Sequence, residues 1–203
     1  MAAEHYFTST PDGDIRPRRI TARLAGRDLE LTTAGGVFSP GHVDLGTRVL
    51  LDAVPEPPAS GDLLDLGCGW GPIALSLALG APDARVWAVD VNQRALELVR
   101  RNCEELGVTN VNAVLPEDVP ADVRFDAIWS NPPIRIGKEE LHALLERWLP
   151  RLAPGADGWL VVQRNLGSDS LQKWLVEAFD ERLEVERVAS AKGFRVLRTT
   201  RSA

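Results

Sequence analysis

The chain has 203 residues, 44 % hydrophobic and 26 % charged, an ordinary globular composition that excludes disordered, collagen-like and disulfide-scaffold classes. No apolar run approaches the ~18 residues of a membrane span, the amino terminus lacks a secretory signal pattern, and two cysteines, Cys68 and Cys103, suit a reducing compartment, so a cytoplasmic protein is expected. The net charge of −6 is carried by residues 51–150, which argues against non-specific nucleic-acid binding while leaving the flanks free to meet a polyanion.

In chain order, residues 18–33 read as a β-hairpin. Ile20, Ala22 and Leu24 alternate with polar residues, Gly26-Arg27-Asp28 turns, and Leu29 and Leu31 resume the alternation. Asp44 is placed to cap a short helix to about Val54, with Leu45, Val49 and Leu50 inward. The Pro-rich stretch 55–61 is a connector. It divides one expected domain, 1–203, into an extension over 1–55 and a core over 56–203. In the core, strands are expected at 63–66, 85–89, 111–115, 125–129, 159–162, 183–189 and 194–199. Helices are expected at 73–79, 93–106, 139–152 and 168–179, the third bounded by Pro154-Gly155. This alternation implies an α/β fold, with right-handed crossovers and a parallel sheet covered on both faces. The last two strands have no helix between them and should pair antiparallel about Ala191-Lys192-Gly193.

Three strand ends carry chemistry. After the first core strand comes Asp65-Leu66-Gly67-Cys68-Gly69-Trp70-Gly71-Pro72. Glycines at alternate positions let the main chain turn tightly and let a ligand approach it. A plain strand-to-helix turn needs fewer glycines. A dinucleotide loop is the rival, but Pro72 stands where its third glycine would be. Asp90 ends the second strand, where a carboxylate can accept hydrogen bonds from both ribose hydroxyls of a nucleoside. Asp90 or Asn92 can equally cap the next helix. Ser130-Asn131-Pro132-Pro133-Ile134 ends the fourth strand. Its prolines stiffen the loop and remove donors, leaving the Asn131 side-chain oxygen and the Pro132 carbonyl as acceptors for an NH2 group.

Taken together, these motifs resemble class I S-adenosylmethionine-dependent methyltransferases that methylate amines. Further stretches are similar to the methyltransferase small domain family, which includes the RsmC-type ribosomal RNA guanine-N2 methyltransferases. They are His5-Tyr6-Phe7-Thr8, Gly36-Val37-Phe38-Ser39, Asp44-Leu45-Gly46-Thr47, Asn131 through Lys138, and Lys192 through Leu197. The resemblance implies a Rossmann-like seven-stranded sheet of order 3-2-1-4-5-7-6, with its last strand antiparallel and the hairpin as an amino-terminal extension. It implies S-adenosylmethionine over Asp65, Gly67, Cys68, Gly69 and Gly71, with Asp90 on the ribose. Val91 and Asn92 would border the adenine, Asp118 would meet its amino group, and Phe38 and Thr47 would close the methionine side. Asn131, Pro132, Pro133 and Ile134 would hold the acceptor amine. Ile134 departs from the aromatic residue common there, and Arg135 stands where many members have His. Better-known members carry a second domain before the catalytic one, so RNA is expected to dock here on another surface.

The expected acceptor is a guanine N2 amine in ribosomal RNA or a ribosomal subunit, with Arg135, Lys138, Arg164 and Lys173 bordering the entering nucleotide. Adenine N6, a protein glutamine and a small-molecule amine are the alternatives. A nicotinamide-dependent oxidoreductase and an inactive binding module are rivals of other classes. The histidines and cysteines are not spaced as metal ligands, so no metal is expected. A monomer is the default. Trp87, Trp129, Trp148, Trp159 and Trp174 read as packing, and Trp70 belongs to the glycine loop. Arg16, Arg18, Arg19, Arg23 and Arg27 read either as a solvated hairpin face or as a phosphate-contacting arm.

Overall fold

The structure is a computed structural model that describes residues 17–203, apart from the Arg135 side chain. Arg16 and His5-Tyr6-Phe7-Thr8 therefore lie outside the described residues. Strands β1 (Pro17–Leu24) and β2 (Arg27–Ala34) form the expected hairpin. Its turn is Ala25-Gly26, both at positive φ, rather than Gly26-Arg27-Asp28. A two-residue turn of this hand follows the twist of the strands, so Leu24 pairs directly with Arg27. Leu24, Leu31 and Ala34 are buried against the core. Asn102 replaces a missing strand neighbour on β2, its side chain bonding Thr32 N at 2.7 Å and Thr32 O at 3.0 Å. Arg19 pairs with Glu105 and Arg23 with Asp28, while Arg18 and Arg27 are exposed.

Helix α1 (Leu45–Ala53) is capped by Asp44, whose carboxylate accepts from Gly46 N and Thr47 N. It buries Thr47, Val49 and Leu50, while Leu45 is only half-buried.

The main sheet contains β3 (Ser60–Leu66), β4 (Asp83–Val89), β5 (Val111–Val114), β6 (Phe125–Ser130), β7 (Leu152–Gln163), β8 (Leu183–Ala191) and β9 (Phe194–Arg201). Its order is β5-β4-β3-β6-β7-β9-β8, with β9 antiparallel to both neighbours, which is the expected 3-2-1-4-5-7-6 counted from the first core strand. Helices α2 (Pro72–Gly80) and α3 (Gln93–Leu106) pack with α1 and the hairpin on one face. Helices α4 (Lys138–Trp148) and α5 (Ser168–Phe179) cover the other. Helix α2 is buried from Pro72 to Ala78, as a helix enclosed between hairpin and sheet must be. Helix α3 begins at its Asn92 cap and stops at Gly107 in the left-handed conformation.

One boundary differs from the sequence reading. Helix α4 ends at Trp148, and a short 3-10 turn over Leu149–Arg151 leads directly into β7. Pro154-Gly155 therefore lies inside β7, where the pairing with β6 slips between Phe125 and Ala127 and both residues stay exposed. A proline is tolerated at such an irregular strand start. Trp174 is half-buried rather than core, stacked on His142 at 3.6 Å. Strand order reverses between β3 and β6, which opens a crevice at their carboxyl ends.

Candidate cofactor and acceptor site

A cavity of about 300 Å³ fills that crevice. The ends of β3, β4, β6 and β7, the start of β9 and the Phe38 loop form its walls. Three of the large exposed apolar side chains, Phe38, Val91 and Leu166, face it.

The three glycines of the loop and Cys68 have their backbone donors satisfied within the chain. Gly67 N and Cys68 N both donate to Val89 O, at 2.8 and 3.0 Å, and Gly71 N donates to Cys68 O at 2.9 Å. Gly69 N donates to the Asp90 carboxylate at 2.9 Å. Pro72 opens α2 without an N–H, and Asp65 accepts from Ala74 N in the first turn at 2.8 Å. Part of the anion-binding potential of this helix start is thereby used within the chain. A pyrophosphate needs those same donors, so the geometry argues against the dinucleotide reading.

Gly67 and Gly69, at φ +78° and +53°, border the cavity. A Cβ at Gly69 would meet nothing within 4 Å, and one at Gly67 only Pro133 at 3.9 Å. The main chain is open to a ligand there. Gly71 lies outside the cavity lining. It packs on Val99, which a Cβ would approach to 3.0 Å.

Asp90 sits beside this open backbone. Its second oxygen accepts from Asn92 N at 2.9 Å. Burial pushes its carboxyl above the ordinary range, and the backbone N–H groups of Asn92, Gly69 and Val91 act against that rise. A carboxylate has about four acceptor sites, so acceptor capacity remains for a ligand. Val91 and Asn92 line the cavity next to Asp90. Asn92 also caps α3 through Arg94 N and holds Gly36 O at 2.8 Å.

Across the crevice, Asn131 is held from behind. Its side-chain nitrogen donates to Asp44 at 3.0 Å and to the Thr47 hydroxyl at 3.1 Å. With that nitrogen bound to two acceptors, the amide oxygen is the atom left for the cavity; this network sets the amide orientation. The Pro132 carbonyl accepts from Ile134 N at 2.8 Å and keeps one lone pair. Pro132, Pro133 and Ile134 line the same wall.

Other expected residues lie elsewhere. Asp65 is fully buried beneath the loop, one oxygen on Ala74 N and the other without a partner among the described residues. Burial pushes its carboxyl well above the ordinary range. Thr47 and Cys68 are buried against a smaller adjoining cavity. Trp70 is buried too, its indole N–H on Ser39 O at 3.1 Å. Asp118 is exposed and outside the lining, where Pro116 takes its place. Lys138 is exposed at the start of α4, and Arg164 is exposed and outside the lining, between the lining residues Gln163 and Leu166 in sequence. Lys173 is exposed on α5, paired with Glu177 at 3.7 Å and away from the lining. The sequence reading missed Asp44 as the anchor of Asn131, and missed Pro116, Leu144, Gln163, Leu166 and Phe194 as walls. Among the described residues no side-chain cluster could hold a metal, and no helix is long and apolar enough to cross a membrane.

The family model described as methyltransferase small domain matches residues 28–198. An uncharacterized protein of Bacillus subtilis (strain 168), YbxB, is 38 % identical over 199 residues, 97 % of this chain and 98 % of that one. The ribosomal RNA small subunit methyltransferase C of Chromohalobacter salexigens is 35 % identical over 185 residues, 87 % of this chain and 54 % of the relative. The solved structure of the T. thermophilus 16S rRNA N2 G1207 methyltransferase (RsmC), in complex with AdoMet and guanosine, superposes with a TM-score of 0.80 at 27 % identity. That match covers 92 % of this chain and 51 % of the other. The chain thus spans nearly all of the Bacillus protein and about half the length of these methyltransferases.

Proposed function

This chain belongs to the methyltransferase small domain family of S-adenosylmethionine-dependent enzymes, and on that premise we propose that its acceptor is the exocyclic N2 amine of a guanine in ribosomal RNA. The cavity fits the donor. Gly67 and Gly69 leave room for a ligand against the main chain, and Asp90 offers lone pairs suited to ribose hydroxyls. Val91, Ala95 and Pro116 form an apolar wall suited to a flat purine. Satisfied loop donors disfavour phosphate and accommodate a cationic ligand. When bound, S-adenosylmethionine supplies an electrophilic methyl group on its sulfonium.

The observation that carries the acceptor reading is the anchored Asn131 amide. An exocyclic guanine amine is a poor nucleophile because its lone pair is delocalised into the ring. The Asn131 oxygen and the free lone pair of the Pro132 carbonyl accept hydrogen bonds from its two N–H groups. That draws the nitrogen from planar toward pyramidal geometry and aims its lone pair toward the glycine loop. One of those protons leaves to solvent after the methyl is transferred. The chain contributes position and preorganised dipoles. Asp44 and Thr47 act through Asn131 as positioning residues. A base paired in a duplex cannot enter such a crevice, so the target is unpaired or flipped out. Arg164, next in sequence to the lining residue Gln163, and Lys138, at the start of α4, are the cations assigned to backbone phosphates, with Arg135 following the catalytic loop. In this reading hairpin and sheet act as one unit, since Asn102 ties β2 to the carbonyl of Trp70 in the glycine loop.

The test is transfer of labelled methyl from S-adenosylmethionine to naked ribosomal RNA, ribosomal subunits, transfer RNA and total protein, with nucleoside analysis. N2-methylguanosine in ribosomal RNA is expected. Label in protein or as N6-methyladenosine contradicts the assignment.

A further inference from the structure

The half-buried side chain of Gln163 lines the acceptor end of the cavity, and no hydrogen bond or ion pair among the described residues engages it. An amide placed so carries two donors and an acceptor that nothing in the chain uses. Its position is set by long-range pairing. β6 pairs in parallel with β7, Ser130 opposite Leu160, so the next residue, Asn131, comes level with Val161. Gln163 lies two residues beyond Val161, back on the same face and about 7 Å farther toward the cavity mouth. That face is the one packed by α1, on which Trp129 and Val161 are buried. Directly opposite Gln163 stands Phe194 of β9, also in the cavity lining. The Phe194 ring lies over Gly46 so closely that a Cβ there would come within 2.8 Å of it. One short helix, α1, therefore fixes both the amine-holding Asn131 and the aromatic wall.

Building on the guanine reading above, we propose that Gln163 determines base specificity: its side-chain oxygen accepts the N1 hydrogen of guanine and its nitrogen donates to O6, with the base lying against Phe194. Guanine presents N2, N1 and O6 in one row. A site that takes the N2 hydrogens at Asn131 leaves N1–H and O6 for the next strand end, where Gln163 is. Adenine presented by its N6 amine has an acceptor at N1 and no second polar group beyond it, so it leaves the Gln163 oxygen unpaired. An unpaired buried acceptor is what makes such a site discriminate. Phe194 supplies the ring that the loop itself lacks at Ile134.

The test uses oligoribonucleotides carrying guanine or 2-aminopurine at the nucleotide labelled in ribosomal RNA. 2-Aminopurine keeps the N2 amine but has neither N1–H nor O6. Gln163→Leu is expected to lower kcat/KM for guanine by about 5- to 150-fold, the range of one bidentate base contact. It should lower the value for 2-aminopurine far less. Gln163→Glu keeps the acceptor, removes the donor, and should fall between. Calorimetric binding of S-adenosylhomocysteine should be unchanged in both variants, which reports an intact fold. Equal losses on the two bases, or no loss on guanine, would overturn the assignment of Gln163 and leave the guanine reading standing. Wild-type protein that methylates adenine or a protein amide, and no guanine, would overturn both.

Discussion

The loops after β3 and β6 end adjacent strands, and they are built on opposite principles. After β3, the backbone donors of Gly67, Cys68, Gly69 and Gly71 turn inward to Val89, Asp90 and Cys68, and what faces the cavity is glycine with empty space beside it. After β6, prolines remove donors, the Asn131 nitrogen is turned back onto Asp44 and Thr47, and what faces the cavity is acceptor oxygen. One loop binds by making room, the other by aiming charge. Two neighbouring strand ends of one sheet can thus divide donor and acceptor between them without sharing a side chain. If this division holds, substitutions in one loop change affinity for the cofactor and substitutions in the other change turnover.

The largest expected effect is at Asn131. Asn131→Ala should lower single-turnover methyl transfer by roughly 10²–10³-fold, as loss of one preorganised polar contact does. S-adenosylhomocysteine affinity should stay near wild type by calorimetry; parallel loss of both would merge the two loops into one function. Asp44→Ala comes next. It frees the Asn131 nitrogen and should reduce kcat roughly tenfold or more, as loss of a hydrogen bond to a charged group does. It should also cost about 1 kcal/mol in urea unfolding through the lost α1 cap. Asp44→Asn keeps one oxygen, and since a single Asp44 oxygen accepts from Gly46 N, Thr47 N and the Asn131 nitrogen, it should recover stability and kcat together.

Within the glycine loop, neighbouring glycines should respond differently to substitution. Gly71→Ala combines φ +98° with a Cβ 3.0 Å from Val99, so it should lower stability by about 1–3 kcal/mol. Gly69→Ala adds a Cβ in open space, so stability should fall less while S-adenosylhomocysteine binding weakens more.

The smallest effect belongs to Asp65. Burial holds its carboxyl well above the ordinary value of 3.8. Its stabilising contribution is then complete below about that pH and is lost as pH rises through the elevated folded value. The stability of wild type relative to Asp65→Asn should therefore decline as pH is raised from 4 toward 8, measured by urea unfolding of both proteins. A difference that stays flat, or grows with pH, would show that Asp65 is not held protonated by burial.

Local signals made most of the elements legible. Asn92 and Gly107 bracket α3, and the three strand-end motifs mark the crevice, because caps and glycine turns are local chemistry. Pro154-Gly155 misled because a slipped strand pairing can carry residues that ordinarily end an element. Asp65 and Gly71 belong to the motif, yet they support the loop from below, which spacing alone does not distinguish from contact. Asp44 was visible as a cap; its second partner, Asn131, lies 87 positions away. Gln163 carries no motif of its own, and Phe194 sits in a stretch similar to the family whose spacing does not show that it faces the cavity. They reach the cavity only because β7 and β9 pair antiparallel, one at the end of its strand and the other at the start.

The loop after β3 turns the donors of Gly67, Cys68, Gly69 and Gly71 inward, which disfavours phosphate and suits a phosphate-free cationic nucleoside. The most direct measurement is calorimetric titration of the wild-type protein with S-adenosylhomocysteine and, separately, with NAD. The account predicts saturable binding of S-adenosylhomocysteine and none of NAD at the same concentrations. Tight binding of NAD without binding of S-adenosylhomocysteine would contradict it.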